Sequence, residues 1–198
     1  MLNLPNILTI VRILVIPVFV LVFYLPVSWG HPAAAAIFAL ACFTDWLDGY
    51  LARSLKQATK FGAFLDPVAD KLMVSIALVM IVAEAQFRFV STTPKMFALP
   101  TFTITIPAAI IVSRELVVSA LREWMAEIGK RTSVVVSGLG KVKTAVQMMA
   151  LTVLIFCDPT TNVSIIVIGY ILLYFAVILT IWSMVIYLKA AWPEFDIN

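Results

Sequence analysis

Long apolar segments constrain the fold of this chain more than any other feature of its sequence. A helix needs about 20 mainly apolar residues to cross the hydrocarbon core of a bilayer. The segments that meet or approach this length are Ile7–Leu25, Pro32–Leu51, Asp66–Ala85, Phe97–Leu121, Val142–Cys157 and Val163–Leu188. The fifth is short, and we expect its helix to begin near Gly138. These segments predict an all-α polytopic membrane protein with six transmembrane helices, in one integral-membrane domain over residues 1–198.

The composition agrees with this prediction, because 63% of the 198 residues are apolar and only 13% are charged. Soluble domains are about a quarter charged, so this chain has too few polar residues to cover a surface in water. A water-soluble enzyme, a disordered chain and a coiled coil are therefore excluded. The two cysteines, Cys42 and Cys157, show no CxxC spacing, and His31 is the single histidine, so a zinc site is not expected. The small net charge of +3 gives no support to nucleic-acid binding.

The basic residues set the orientation that we predict for the helices. Lys and Arg accumulate in the cytoplasmic loops of membrane proteins. With six spans, 12 of the 14 basic residues fall on the side of both termini, and only Arg88 and Lys95 fall on the other. We therefore expect both termini in the cytoplasm. The first apolar segment exceeds the length of a signal-peptide core and has no small-residue cleavage site, so we expect it to be a retained span.

Four aspartates lie where apolar spans end, within one 26-residue window: Asp45, Asp48, Asp66 and Asp70. A carboxylate near a membrane costs a few kcal/mol unless it is paired or lines a wet cavity. The first two share one helix face and the last two share another, because residues three or four apart are neighbours on a helix. A short loop returns the chain, so we expect the four carboxylates to converge. An all-oxygen cluster of this kind suits Mg²⁺, Mn²⁺ or Ca²⁺.

The same segment carries further signs of phosphate chemistry. Gly49 follows Asp48 directly, and a glycine inside a helix suggests close approach of a ligand or of another backbone. Arg53 lies one helical turn later and could reach a phosphate. The alternative is that the aspartates only cap helices and form surface ion pairs. A cap fits Asp66, which precedes Pro67, but it does not explain the other three.

These residues form a pattern that resembles a known family. The run Asp45-Trp-Leu-Asp48-Gly49-Tyr-Leu-Ala52-Arg53, then eight residues and Gly62, three residues and Asp66, and three residues and Asp70, resembles the signature of the CDP-alcohol phosphotransferases. Every fixed position of that signature is met. The flanking stretches resemble the bacterial phosphatidylglycerophosphate synthases within that family, at Asn3–Arg12, Ser113–Leu116, Ala120–Lys130 and Gly140–Thr144.

The resemblance implies the family's membrane fold in a bacterial inner membrane, with a cytoplasmic active site, and a homodimer. It implies transfer of a phosphatidyl group from CDP-diacylglycerol to sn-glycerol 3-phosphate, with release of CMP. Asp45, Asp48, Asp66 and Asp70 would hold Mg²⁺ or Mn²⁺, with two ions per site, and Asp70 would be the general base. The CDP-diacylglycerol site would be formed by Asn6, Thr9, Asp48, Gly49, Arg53, Thr59 and Gly62.

The phosphate of the acceptor needs a cationic pocket of its own. Arg114 is the first candidate, because it lies in the apolar fourth segment, where an arginine is expensive. Arg122, Lys141 and Lys143 follow. Arginine can grip a phosphate through two hydrogen bonds, whereas lysine acts as a point charge. The alternative for Arg114 is an ion pair with Glu115 or another acid.

Two other functions stay open on the sequence. The first keeps the family but changes the acceptor to inositol phosphate, serine or phosphatidylglycerol, which the signature alone does not exclude. The second is a cation transporter with aspartates along an ion path. A transporter predicts polar residues through the full depth of several spans, whereas here they gather at one membrane face.

Overall fold

The structure is a computed structural model that describes residues 4–54, 60–84, 89–92, 95–98, 100–129, 138–158 and 160–194. Within these ranges the chain forms six α-helices and one two-stranded sheet. The helices are α1 (Leu4–Phe23), α2 (Gly30–Ser54), α3 (Lys60–Ala83), α4 (Phe102–Glu127), α5 (Gly138–Phe156) and α6 (Val163–Ala191). A 3-10 turn, Trp192–Glu194, follows α6 directly.

Each predicted span corresponds to one helix, and the predicted start of α5 near Gly138 is correct. Several helices extend beyond their apolar segments. The third begins at Lys60 instead of Asp66, and the fourth continues to Glu127. Backbone hydrogen bonding does not stop where the bilayer core ends, so apolar length alone does not define a helix boundary.

A short hairpin between α3 and α4 departs from the otherwise helical fold. Strand β1 (Phe89–Thr92) pairs antiparallel with β2 (Lys95–Ala98), and Phe89 lies opposite Ala98. The predicted fourth span began at Phe97, which belongs instead to β2. The all-helical class is confirmed for the bulk of the described chain, and the hairpin is an addition that the sequence analysis did not predict.

The helices pack around one apolar core. The most extensive contacts join α5 to α6 and α1 to α2, and α2 also packs on α5 and α4 on α6. Side chains from all six helices are fully buried in this core, among them Phe19, Phe38, Leu78, Ile111, Leu154 and Leu173. Gly169 allows a close approach of α6 to α5, since a Cβ at this position would lie 2.7 Å from Cδ2 of Leu154.

The outer faces of the helices are also apolar. Leu21 is 69% exposed and Val79 is 65% exposed, and they belong to a large set of exposed aliphatic and aromatic side chains. A soluble protein rarely exposes apolar surface on this scale, so these faces are suited to a membrane protein. Among the described residues, three helices are both long and apolar enough to span a bilayer, at Asn6–Phe23, Phe102–Glu127 and Val163–Glu194. A shorter apolar helix covers Val142–Phe156.

The connection from α5 to α6 is tied by one carboxylate. Oδ1 of Asp158 accepts hydrogen bonds from the hydroxyl groups of Thr160 and Thr161, at 2.7 and 2.9 Å. Because these bonds stabilise the ionised form, chiefly the bond from the Thr160 side chain, the pKa of Asp158 is lowered. This turn lies at the opposite end of the bundle from the polar cavity described below.

Candidate active site

One face of α1 holds carboxylates from two other helices. The hydroxyl of Thr9 donates to Oδ1 of Asp66 at 2.6 Å, and the guanidinium of Arg12 forms an ion pair with Asp45. Thr9 and Arg12 are both buried, and they are neighbours on one helix face because they are three residues apart. The carboxylates of α2 and α3 are therefore brought to adjacent positions on α1.

The carboxylate of Asp66 does not cap a helix. A capping side chain belongs to the residue that immediately precedes the first turn. Helix α3 begins at Lys60, so Asp66 lies inside it and Pro67 is an internal proline. The interpretation of Asp66 as an N-cap is therefore wrong. Its bond to Thr9 is a contact between distant parts of the chain.

A polar cavity of about 440 Å³ lies next to these carboxylates. This volume falls within the range of about 300–1,000 Å³ that is usual for small-ligand pockets. The cavity is formed by the first half of α3, the second half of α4, the first half of α5 and the end of α6. Its polar lining consists of Asp70, Lys71, Arg114, Glu115, Ser119, Arg122, Lys143, Thr144, Gln147 and Tyr187. Four predicted site residues, Asp70, Arg114, Arg122 and Lys143, therefore share one cavity.

The buried charges of this cavity form a network around Glu115. Its Oε1 accepts from a terminal nitrogen of Arg114 at 3.1 Å and from Nζ of Lys143 at 2.5 Å. Arg114 is only 7% exposed and Lys143 only 2%. The lining as a whole has four cationic side chains (Lys71, Arg114, Arg122 and Lys143) and two carboxylates (Asp70 and Glu115), so the cavity has an excess of positive charge. An anion is the ligand that such a site favours.

Arg114 has further contacts that fix its position. Its second terminal nitrogen donates to Oγ of Ser183 at 3.0 Å. The alternative of an ion pair with Glu115 is thus realised, but it does not use the whole guanidinium. Its Nε is buried and has no hydrogen-bond partner among the described residues. Arg114 therefore has one N–H group without a hydrogen-bond partner among the described residues.

Tyr187 orients both arginines of α4. Arg122 donates to the Tyr187 hydroxyl at 2.9 Å, and its guanidinium carbon lies 5.1 Å from the ring centroid. The guanidinium carbon of Arg114 lies 5.7 Å from the same centroid. These distances are in the range of cation–π attraction. Tyr187 therefore positions the two cations on one side of the cavity.

Sequence reasoning missed several members of the cavity. It included Lys71 only among the 12 basic residues that set the predicted orientation, and it did not select Ser119, Gln147 or Tyr187. The Nζ of Lys71 donates to Oγ of Ser119, which joins α3 to α4. A detectable signal was present, because Gln147 lies one helical turn after Lys143 in an otherwise apolar segment.

The remaining predicted site residues are placed in part. Asn6 and Gly62 are buried, and Asn6 lies on α1 three residues before Thr9. Thr59 lies outside the described residues, as do the side chains of Asp48, Arg53 and Lys141, and Gly49 is described only as part of α2. In the described ranges, no three His, Cys, Asp or Glu side chains lie close enough to hold a metal ion.

The donors that are placed nevertheless fit a hard cation. Asp45, Asp66 and Asp70 supply only carboxylate oxygens, which are the ligands that Mg²⁺ and Mn²⁺ prefer. The carboxylate of Asp45 is 39% exposed, so it is accessible from one side despite its ion pair with Arg12. The chemistry of the set is thus suitable for a metal centre that also includes Asp48.

Fold and site together define a helical membrane protein with carboxylates and a cationic cavity at one end of the bundle. The family model for CDP-alcohol phosphatidyltransferase matches residues 2–182. The chain belongs to this family, as its aspartate signature predicted. The family is generally dependent on divalent metals.

Curated relatives are similar over nearly the whole chain. A Pseudomonas fluorescens protein named CDP-diacylglycerol–glycerol-3-phosphate 3-phosphatidyltransferase is 50% identical over 193 residues, which cover 97% of this chain and 91% of the relative. A Yersinia pestis (strain Pestoides F) protein of the same name is 50% identical over 98% of this chain and 97% of its own length. The Escherichia coli (strain K12) protein of that name is 49% identical over 96% of this chain and 94% of its own length.

Proposed function

We propose that this protein transfers the phosphatidyl group of CDP-diacylglycerol to sn-glycerol 3-phosphate, forming phosphatidylglycerophosphate and CMP. The observation that carries the proposal is the shared cavity, in which Asp70 and the buried cations Arg114 and Lys143 line the same space. The cavity thus combines a base with an anion site. This combination matches an acceptor substrate that has both a hydroxyl and a phosphate. The names of the relatives agree with this activity.

The acceptor phosphate binds on the cationic side of the cavity. Arg114 offers the Nε donor that has no partner among the described residues, and Lys143 adds a point charge. Charge-assisted hydrogen bonds from guanidinium to phosphate are about twice as strong as neutral ones. Arg122 lies on the same side, held by Tyr187. Lys141, on the first turn of α5, completes the predicted set.

The donor binds on the carboxylate side, where α1, α2 and α3 meet. Asp45, Asp48, Asp66 and Asp70 are the groups that we propose to hold Mg²⁺ or Mn²⁺, with two ions per site. Bound metal supplies stabilisation of negative charge on the pyrophosphate and on departing CMP. Asn6, Thr9, Asp48, Gly49, Arg53, Thr59 and Gly62 form the proposed CDP-diacylglycerol groove.

In the chemical step, Asp70 accepts the proton of the glycerol 1-hydroxyl. The freed oxygen attacks the β-phosphorus of CDP-diacylglycerol, and the bond from this phosphorus to the oxygen of CMP breaks. A general base of this kind contributes about 10²–10⁴-fold to a rate. Arg114 and Lys143 hold the acceptor phosphate while Asp70 meets the hydroxyl at its other end. Both contacts with one small molecule align it for attack.

The position of the site supports a particular arrangement in the membrane. We propose six spans in a bacterial inner membrane, with both termini and the cavity on the cytoplasmic side. The polar lining comes from helix halves at one end of the bundle, which is the end that carries most of the Lys and Arg. A lipid donor can enter there from the bilayer and a soluble anion from the cytoplasm. A homodimer is proposed from the family resemblance.

An acceptor assay tests this function. Purified protein in detergent, supplied with CDP-diacylglycerol, Mg²⁺ and labelled sn-glycerol 3-phosphate, should release CMP and form a labelled phospholipid. Parallel reactions with inositol phosphate, serine and phosphatidylglycerol should give little product, and excess EDTA should stop the reaction with every acceptor. Product with one of those acceptors but none with glycerol 3-phosphate would refute the assignment.

A further inference from the structure

Gln147 is a buried polar residue that the mechanism above does not use. It lies on α5, one turn after Lys143, and it lines the same cavity as Asp70 and Arg114. Gln147 is only 2% exposed. The amide oxygen, Oε1, has no hydrogen-bond partner among the described residues. A buried acceptor without a donor is unfavourable, so a ligand that supplies a donor gains affinity.

The chemistry of the cavity limits which group can supply that donor. The ionised phosphate of glycerol 3-phosphate can only accept hydrogen bonds, so it cannot donate one to Oε1. The carboxylate of Asp70 is also only an acceptor when ionised. Lys143 donates to Glu115, and we assign its other N–H groups and Nε of Arg114 to the acceptor phosphate. Within glycerol 3-phosphate the only donors are its two hydroxyls, and the 1-hydroxyl gives its proton to Asp70.

We propose that Gln147 is a specificity-determining residue that accepts a hydrogen bond from the 2-hydroxyl of glycerol 3-phosphate. This inference rests on the proposed function. It assigns one contact to each polar part of the acceptor: the cations hold the phosphate, Asp70 meets the 1-hydroxyl and Gln147 meets the 2-hydroxyl. A site built to pair with a hydroxyl discriminates strongly against an analogue that lacks it, because its own polar group is then left unpaired.

The test compares two acceptors in two proteins. Glycerol 3-phosphate carries the 2-hydroxyl, whereas 3-hydroxypropyl phosphate lacks it and is otherwise the same. The wild-type protein should use the analogue with a kcat/KM about 10–100-fold lower. In Gln147→Met, which keeps the size of the side chain but removes the acceptor, glycerol 3-phosphate should lose a similar factor and the two acceptors should become nearly equal.

Each ratio is measured on one preparation, so it does not depend on how much of a variant is folded. Gln147→Glu retains an acceptor oxygen and should keep the preference for glycerol 3-phosphate. The inference is overturned if Gln147→Met keeps the wild-type ratio, or if the wild-type protein uses both acceptors equally well. A wild-type protein that uses neither acceptor would instead overturn the proposed function.

Discussion

Replacement of Asp70 by asparagine is expected to lower kcat by about 10²–10⁴-fold, the usual contribution of a general base. Asparagine keeps the size of the side chain but cannot accept the proton of the glycerol 1-hydroxyl. Arg114 and Lys143 are unchanged in this variant, and their hydrogen bonds go to Glu115 and Ser183 instead of to Asp70. Release of CMP, followed over time with purified protein in detergent, measures the loss.

The chain offers a matched control at the opposite end of the bundle. Asp158→Asn makes the same chemical change in the turn between α5 and α6, where the carboxylate binds only Thr160 and Thr161 among the described side chains. This variant should keep the wild-type rate. Both variants should elute as the wild-type protein does from a sizing column in detergent. Near-normal turnover by Asp70→Asn would refute its role as the base.

Replacement of Arg114 by methionine should raise the KM for glycerol 3-phosphate far more than it changes the KM for CDP-diacylglycerol. Loss of one member of a buried charge pair costs about 2–5 kcal/mol, which corresponds to a change of about 30-fold or more. Glu115 keeps its bond to Lys143, so the variant does not leave a buried carboxylate without a partner. Initial rates with each substrate varied in turn give the two KM values.

Ser183→Ala serves as the control for this variant. It removes the hydrogen bond from Arg114 to Ser183 but keeps both the charge and the Glu115 contact. A hydrogen bond that involves a charged group is worth about 1.5–3 kcal/mol. The Ser183→Ala variant should therefore lose some thermal stability while its KM for glycerol 3-phosphate changes little. An Arg114→Met protein with an unchanged KM for glycerol 3-phosphate would contradict the phosphate role.

The helices of this protein could be predicted from the sequence because the bilayer imposes a length. Apolar runs such as Val163–Leu188 mark a spanning helix without knowledge of its neighbours. The ends of the helices were harder to predict. Helix α3 begins at Lys60 and α4 ends at Glu127, both in polar sequence outside the apolar segments. The hairpin was missed because its strands are only four residues long.

The site residues that could be predicted are those whose charge is energetically unfavourable in an apolar segment. Arg114 and Lys143 stand out because charged groups are rare in apolar segments, and the structure places both in one cavity. Tyr187 and Ser119 do not stand out, since tyrosine and serine are common in membrane helices. The bonds from Thr9 to Asp66 and from Arg12 to Asp45 were not predictable, because they join residues that are 57 and 33 positions apart.

The distribution of polar groups also bears on the transporter alternative. The polar cavity lies at one end of the bundle, and the core is built of apolar side chains such as Phe19, Phe38 and Leu154. A path for ions needs polar groups through the depth of the membrane. The described part of the chain concentrates them at one end instead, which favours chemistry at a membrane surface over transport.

In the proposed reaction, the 1-hydroxyl oxygen of glycerol 3-phosphate attacks the β-phosphorus of CDP-diacylglycerol. The most direct test uses acceptor that carries heavy oxygen at this hydroxyl, with mass spectrometry of both products. We expect the label to be retained in phosphatidylglycerophosphate, in the bridge between glycerol and phosphorus, and CMP to carry none. Label in CMP, or an unlabelled phospholipid product, would contradict it.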